Sequence, residues 1–165
     1  MRTMSMWPEI WNTVQSEFSD IPDVTQIVRI TLRLLIAGTL GGLLGYEREQ
    51  KGKSAGVRTH MLVAIGAALF VLIPQQAGAS TADLTRVLQG LTAGVGFLGA
   101  GAIILGNKQA ETRGLTTAAG IWVTAAIGIA AGMGRESTAV LTTLVALFIL
   151  TVVPWILGVR RESKE

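Results

Sequence analysis

The chain has 165 residues, of which half are hydrophobic and 15% charged, with a net charge of +3 and a mean hydropathy of +0.51. So little charge argues against an ordinary soluble domain and suits one membrane-embedded domain. There is no cysteine, which excludes disulfides and thiolate metal sites, and the small, dispersed basic excess argues against nucleic acid as a partner.

Residues 1–23 read as a short amphipathic helix. Trp7, Ile10, Trp11, Val14 and Phe18 recur at helical spacing, with Glu9, Asn12, Ser16 and Glu17 elsewhere. Pro8 suits an early helical position and Pro22 a stop. Two tryptophans on one face predict a helix lying at the membrane interface, the alternative being a loosely ordered terminus. The segment lacks the basic start and cleavable apolar core of a signal peptide.

Five apolar spans follow, near 27–46, 60–75, 86–105, 115–133 and 138–157. Most approach the roughly 20 residues that cross about 30 Å of hydrocarbon. The second is short and has room to begin before His60. The predicted fold class is all-α: a polytopic membrane helix bundle with five transmembrane helices and an N-terminal amphipathic interfacial helix. Its domains are an N-terminal segment (1–24), a five-helix transmembrane domain (25–158) and a cytoplasmic tail (159–165).

Basic residues set the orientation. The first connector holds Arg48, Lys51, Lys53 and Arg58, the third Lys108 and Arg113, and the tail Arg160, Arg161 and Lys164. Only Arg2, Arg86 and Arg135 lie on the opposite side. Nine against three predicts a cytoplasmic C-terminus and an outer N-terminus.

Chemistry-bearing groups are sparse. Glu47, Glu49 and Glu111 fall in inner connectors, Asp83 and Glu136 in outer ones, so no carboxylate is expected deep in a span. Magnesium or calcium would need several oxygen ligands including carboxylates, and no such cluster is visible. His60 is the one histidine, next to Arg58 and Thr59 at the inner end of the second span. It is a candidate acid sensor, or simply an interfacial hydrogen-bonding group. No catalytic constellation, metal site or cofactor is expected. Arg29 and Arg33 share one face of the first span, either pairing with Asp23, Asp83 or Glu136 or lining a polar cavity. Glu47, Arg48 and Arg58 flank two span ends that must lie near one another, so they are candidates for ion pairing.

Glycines mark packing faces. Gly38, Gly41, Gly42 and Gly45 give the first span overlapping G-x-x-x-G spacings, from which a homodimer is expected. Around the third span Gly90, Gly94 and Gly101 share one face, with Gly96 and Gly99 nearly opposite, which predicts that this helix is central. Its resemblance to a dinucleotide fingerprint fails for want of a strand and a βαβ unit. In the fourth span Thr116 or Thr117 is expected to cap the helix. Trp122 lies too deep for an interface belt, so its indole is expected to pack against a neighbour or line a site.

Four blocks in register resemble the MgtC/SapB family of bacterial inner-membrane proteins. They are Gly41-Gly-Leu-Leu-Gly-Tyr-Glu-Arg-Glu49, Ala55-Gly-Val-Arg-Thr-His-Met-Leu-Val63, Gly94-Val-Gly-Phe-Leu-Gly-Ala-Gly-Ala-Ile103 and Gly114-Leu-Thr-Thr-Ala-Ala-Gly-Ile-Trp122. The resemblance implies a polytopic protein linked to magnesium homeostasis, acid tolerance and virulence. The resemblance further implies action by regulating partner membrane complexes, the F-type ATP synthase among them. Many members carry a cytosolic domain after the last span, and a short form without it is expected here. The functional candidates are Arg33, Glu47, Arg48, Arg58, Thr59, His60, Arg86, Arg113, Thr116, Thr117 and Trp122. A transporter or channel for magnesium, protons or another small solute is the alternative, although no carboxylate pathway supports it.

Overall fold

Long apolar stretches broken by short polar turns fold as helices, because a helix satisfies its own backbone polar groups where water is absent. A computed structural model describes residues 6–19, 23–104 and 114–157. They form α1 (Met6–Glu17), α2 (Val24–Gln50), α3 (Val57–Gln76), α4 (Thr81–Ile104), α5 (Leu115–Gly132) and α6 (Glu136–Ile156). Helices α2 to α6 are each long and apolar enough to cross a membrane. Contacts divide the chain into two units, Met1–Leu32 and Arg33–Glu165.

The first unit holds α1 and the opening turns of α2. Every residue of α1 is exposed, including Trp7, Ile10, Trp11 and Val14. Asp23 starts α2: its Oδ1 accepts the Gln26 backbone N–H at 2.7 Å, satisfying a donor with no partner inside the helix.

The second unit is built around α5, which touches α3, α4 and α6. Its small residues allow this. A Cβ on Gly132 would come within 2.6 Å of the Ala68 carbonyl, and one on Gly128 would strike the Ala64 backbone. On the other side of α3, a Cβ on Gly41 would sit 2.6 Å from the His60 carbonyl, and one on Gly45 would sit 2.6 Å from the Val57 Cα. Ala64 and Ala68 thus lie in a core with Ala37, Leu40, Leu44, Ile127, Ala131 and Ala139. A second cluster joins Ala55, Ala67, Val95, Ile121 and Ala125. Close backbone packing of small residues is what holds helices together in lipid, where the hydrophobic effect between them is absent.

Several expectations change. The central helix is α5, not α4. The α4 glycines Gly90, Gly94, Gly96 and Gly101 meet nothing within 4 Å, and only Gly99 touches a neighbour, Ala118. Periodicity shows which glycines share a face, but not which faces the fold covers. Helix α2 continues through Gln50, so Glu47, Arg48 and Glu49 are helical rather than part of a connector. It stops at Gly52, whose φ of 63° and N–H bond to the Glu49 carbonyl form a left-handed close. Helix α3 starts at Val57, three residues before His60, and α4 at Thr81, five before Arg86. Neither Thr116 nor Thr117 caps α5. The cap is Gly114, with φ 98° and no side-chain cap bond, which leaves both threonines inside the first turn.

Candidate functional site

Two polar clusters lie along the second unit. The first gathers where α2 ends. Glu47 and Arg48 are 9% and 3% exposed, and the Arg48 Nε bonds the Glu47 Oε2. Lys51, one turn on, places its Nζ 2.5 Å from Glu47 Oε1. The same Nζ donates to the Leu150 carbonyl of α6, 99 residues away, at 2.5 Å. That carbonyl has a reason to be free. Pro154 lies inside α6 four residues later and has no N–H to give it, so the lysine replaces the missing helical donor. Glu49 turns the other way: its Oε2 accepts the Val57 backbone N–H at 2.9 Å and so caps α3. One turn into α3, His60 is fully buried, with Nδ1 3.0 Å from the Gly56 carbonyl.

The second cluster is centred on Arg33, fourteen residues before Glu47 in the same helix, or about 21 Å at 1.5 Å per residue. Its Nη1 donates to the Gly132 carbonyl at 2.9 Å and to Gln75 Oε1 at 3.3 Å. Its Nε lies 3.9 Å from Glu136 Oε1. One guanidinium thus joins α2 to the C-terminal ends of α3 and α5 and the start of α6. A cation belongs at helix C-termini, where carbonyls lack donors and the dipole is negative.

The MgtC family matches residues 34–158, which covers the first cluster and, of the second, every member but Arg33, which stands one residue before the match. The chain belongs to the MgtC family. It is similar to SrpB of Synechococcus elongatus, 41% identical over 135 residues, which are 74% of this chain and 73% of that protein. It is 39% identical to YhiD of Escherichia coli over 128 residues, covering 73% of this chain and 59% of YhiD. With MgtC of Salmonella typhimurium it shares 40% over 116 residues, 70% of this chain and 48% of that one. The chain therefore spans from about half to three quarters of these relatives. No solved structure matches it.

The remaining candidates of this MgtC-family chain are scattered. Arg58 and Thr59 are exposed in the first turn of α3, and Arg58 makes no ion pair among the described residues, so Glu47 pairs with Arg48 and Lys51 instead. Arg86 is exposed and pairs with Asp83 at 2.7 Å. Arg113 lies outside the described residues. Thr116 is exposed and Thr117 buried. Trp122 is half exposed on the surface of α5, where the core does not cover it. Gly38, Gly41, Gly42 and Gly45 all face α3 of the same chain, which accounts for glycines from which a homodimer was expected. The view that carboxylates lie only in connectors is corrected by Glu47, which α2 carries in buried form.

The sequence reading missed Lys51, Gln75 and the capping role of Glu49. Lys51 had a signal: it lies four residues after Glu47, and Pro154 marks an orphan carbonyl at Leu150. Among the described residues no group of three or more His, Asp or Glu side chains is arranged to hold a metal ion.

Proposed function

We propose that this chain is a non-enzymatic protein of the bacterial inner membrane, linked to magnesium homeostasis, that acts by regulating partner membrane complexes. The observation that carries this reading is the outer face of α4. Gly90, Gly94 and Gly101 share one face and are exposed, and Phe97 stands 81% exposed between Gly94 and Gly101. Lipid tails gain little from a glycine groove, whereas a partner helix can bring its backbone close to one. The partner surface is thus α4 rather than α2. Its occupants are a second copy, giving a homodimer, or a larger complex of the kind the family resemblance suggests, such as the F-type ATP synthase.

The magnesium link rests on relatives. One carries the name MgtC and another the name "Putative magnesium transporter YhiD". The lysine and arginine distribution supports an outer N-terminus and a cytoplasmic C-terminus. Acid tolerance and virulence are the settings that the resemblance suggests. A photoreactive phenylalanine analogue at position 97 tests the reading in membranes. Cross-links to a second copy or another membrane protein support it, and capture of lipid alone overturns it.

A second reading, transport, is favoured by Glu47 and Arg48, because charges buried in membrane helices often mark an ion path. Saturable magnesium uptake by purified protein in sealed liposomes, lost with Glu47→Gln, would establish that reading in place of the first.

A further inference from the structure

Helix α1 leaves its apolar face uncovered. Trp7 and Trp11 are 78% and 63% exposed, and Ile10 and Val14 stand exposed beside them. At about 100° per residue these four fall within an arc of about 100°. Asn12 and Ser16 lie opposite, Glu9 near them, and Glu17 at the edge of the arc. The polar face keeps its hydroxyls to itself. Thr13 Oγ1 donates to the Glu9 carbonyl and Ser16 Oγ to the Thr13 carbonyl, each at 2.8 Å. It therefore offers a partner few directional hooks. With 12 residues α1 is about 18 Å long, too short to cross about 30 Å of hydrocarbon and marginal as a lone helix in water. It needs a surface to lie on.

We infer that α1 docks on the bilayer surface beside the start of α2 and selects zwitterionic over anionic headgroups. Reach fixes the place. Six residues separate Glu17 from Val24, where a helix long and apolar enough to cross the membrane begins, so the two ends lie within about 25 Å of each other. Tryptophan favours the headgroup level, where its ring is buried and its N–H stays hydrated. Charge fixes the lipid. Surface helices usually carry Lys and Arg on the polar face and so gain from anionic lipid. Here residues 1–24 hold Arg2 against Glu9, Glu17, Asp20 and Asp23, and α1 itself has the two glutamates and no basic residue. An anionic surface repels such a helix, and salt at 0.1 M screens that repulsion beyond about 10 Å. A zwitterionic surface carries no net charge to repel it, and its ammonium groups can meet Glu17 at the edge of the face. A protein partner or a second copy would cover the face whatever the headgroup charge.

The chain has no cysteine, so a single label can be placed at will. Ile10→Cys and Asn12→Cys, each carrying a nitroxide, are compared in the full chain. Both positions are exposed, so both variants fold. The nanodiscs are phosphatidylcholine alone, or equal parts phosphatidylcholine and phosphatidylglycerol. Collisions with oxygen report depth in lipid, and collisions with a neutral nickel chelate report water. In the zwitterionic discs the oxygen-to-nickel ratio should be severalfold higher at position 10 than at position 12. With phosphatidylglycerol at low salt that contrast should fall. Added salt should restore it, and so should Glu9→Gln combined with Glu17→Gln. A contrast that is equal in the two lipids, or larger with phosphatidylglycerol, would overturn the lipid selection. Equal nickel access at both positions would show α1 off the surface, and shielding of position 10 from both reagents would show a protein against it. Either result overturns the docking.

Discussion

Replacing Lys51 tests whether a lysine substitutes for a proline's missing N–H. Lys51→Met removes the one group that touches both Glu47 Oε1 and the Leu150 carbonyl, each at 2.5 Å. A hydrogen bond to a charged group contributes about 1.5–3 kcal/mol, and an unmet buried acceptor costs about 1–3 kcal/mol. Lys51 is only half-buried, so water screens part of the site and the low end applies. The expected loss is about 2 kcal/mol, roughly half of it from the Leu150 carbonyl. Pro154→Ala restores the helical N–H to that carbonyl. It should return about 1 kcal/mol in the Lys51→Met background and much less in the original chain, where the lysine already serves. Unfolding midpoints in mixed detergent micelles for the four proteins give the coupling directly. Independent sites add to within about 0.3–0.5 kcal/mol. A coupling inside that range, or a methionine variant as stable as the original, would refute the reasoning.

Other outcomes follow from the same geometry. Gly41→Val and Gly128→Val should abolish folding, since each adds atoms where the α3 backbone already stands; normal yields of monodisperse protein would contradict the packing. Gly94→Ala and Gly101→Ala should leave the unfolding midpoint unchanged, within about 1 kcal/mol, while weakening cross-linking from position 97. Arg33→Lys should lower stability by about 1–2 kcal/mol, because an ammonium cannot reproduce the planar contacts to Gln75 and Gly132, and matching midpoints would count against that cluster. Arg48→Lys should impair growth in low magnesium whereas Arg58→Lys should not, since only Arg48 is buried against Glu47; equal effects would sink the distinction. Cysteines at Ser54 and Ser80 should label from opposite sides of the membrane, and labelling from one side would defeat the five-span arrangement.

Helix number and type were legible because each span is a long apolar run closed by polar turns. Their ends were less so. Charge at Glu47, Arg48 and Glu49 resembles a membrane exit, yet nothing local stops the helix before Gly52. The Arg33–Glu136 pair was among the partners open to the arginine in the sequence, since both residues fall on the outer side of the expected topology. The Lys51–Leu150 bond was not, because it depends on two backbones meeting across 99 residues. The glycines split in the same way. Those of α2 and α4 carry the same kind of spacing, but the first set meets α3 and the second meets no described neighbour.

The contact of α3 with α2 and α5 limits how such a core can change. Ala64 and Ala68 on one side, and Gly41, Gly128 and Gly132 on the other, leave almost no side chain to trim. In an ordinary core, one residue can grow while its neighbour shrinks and the helices keep their distance. Here the main chains themselves set the separation, so a single added methyl can only be accommodated by moving a whole helix. Glycine should therefore be fixed at positions 41, 128 and 132, and any change that adds atoms there must come with a new helix arrangement rather than a compensating neighbour.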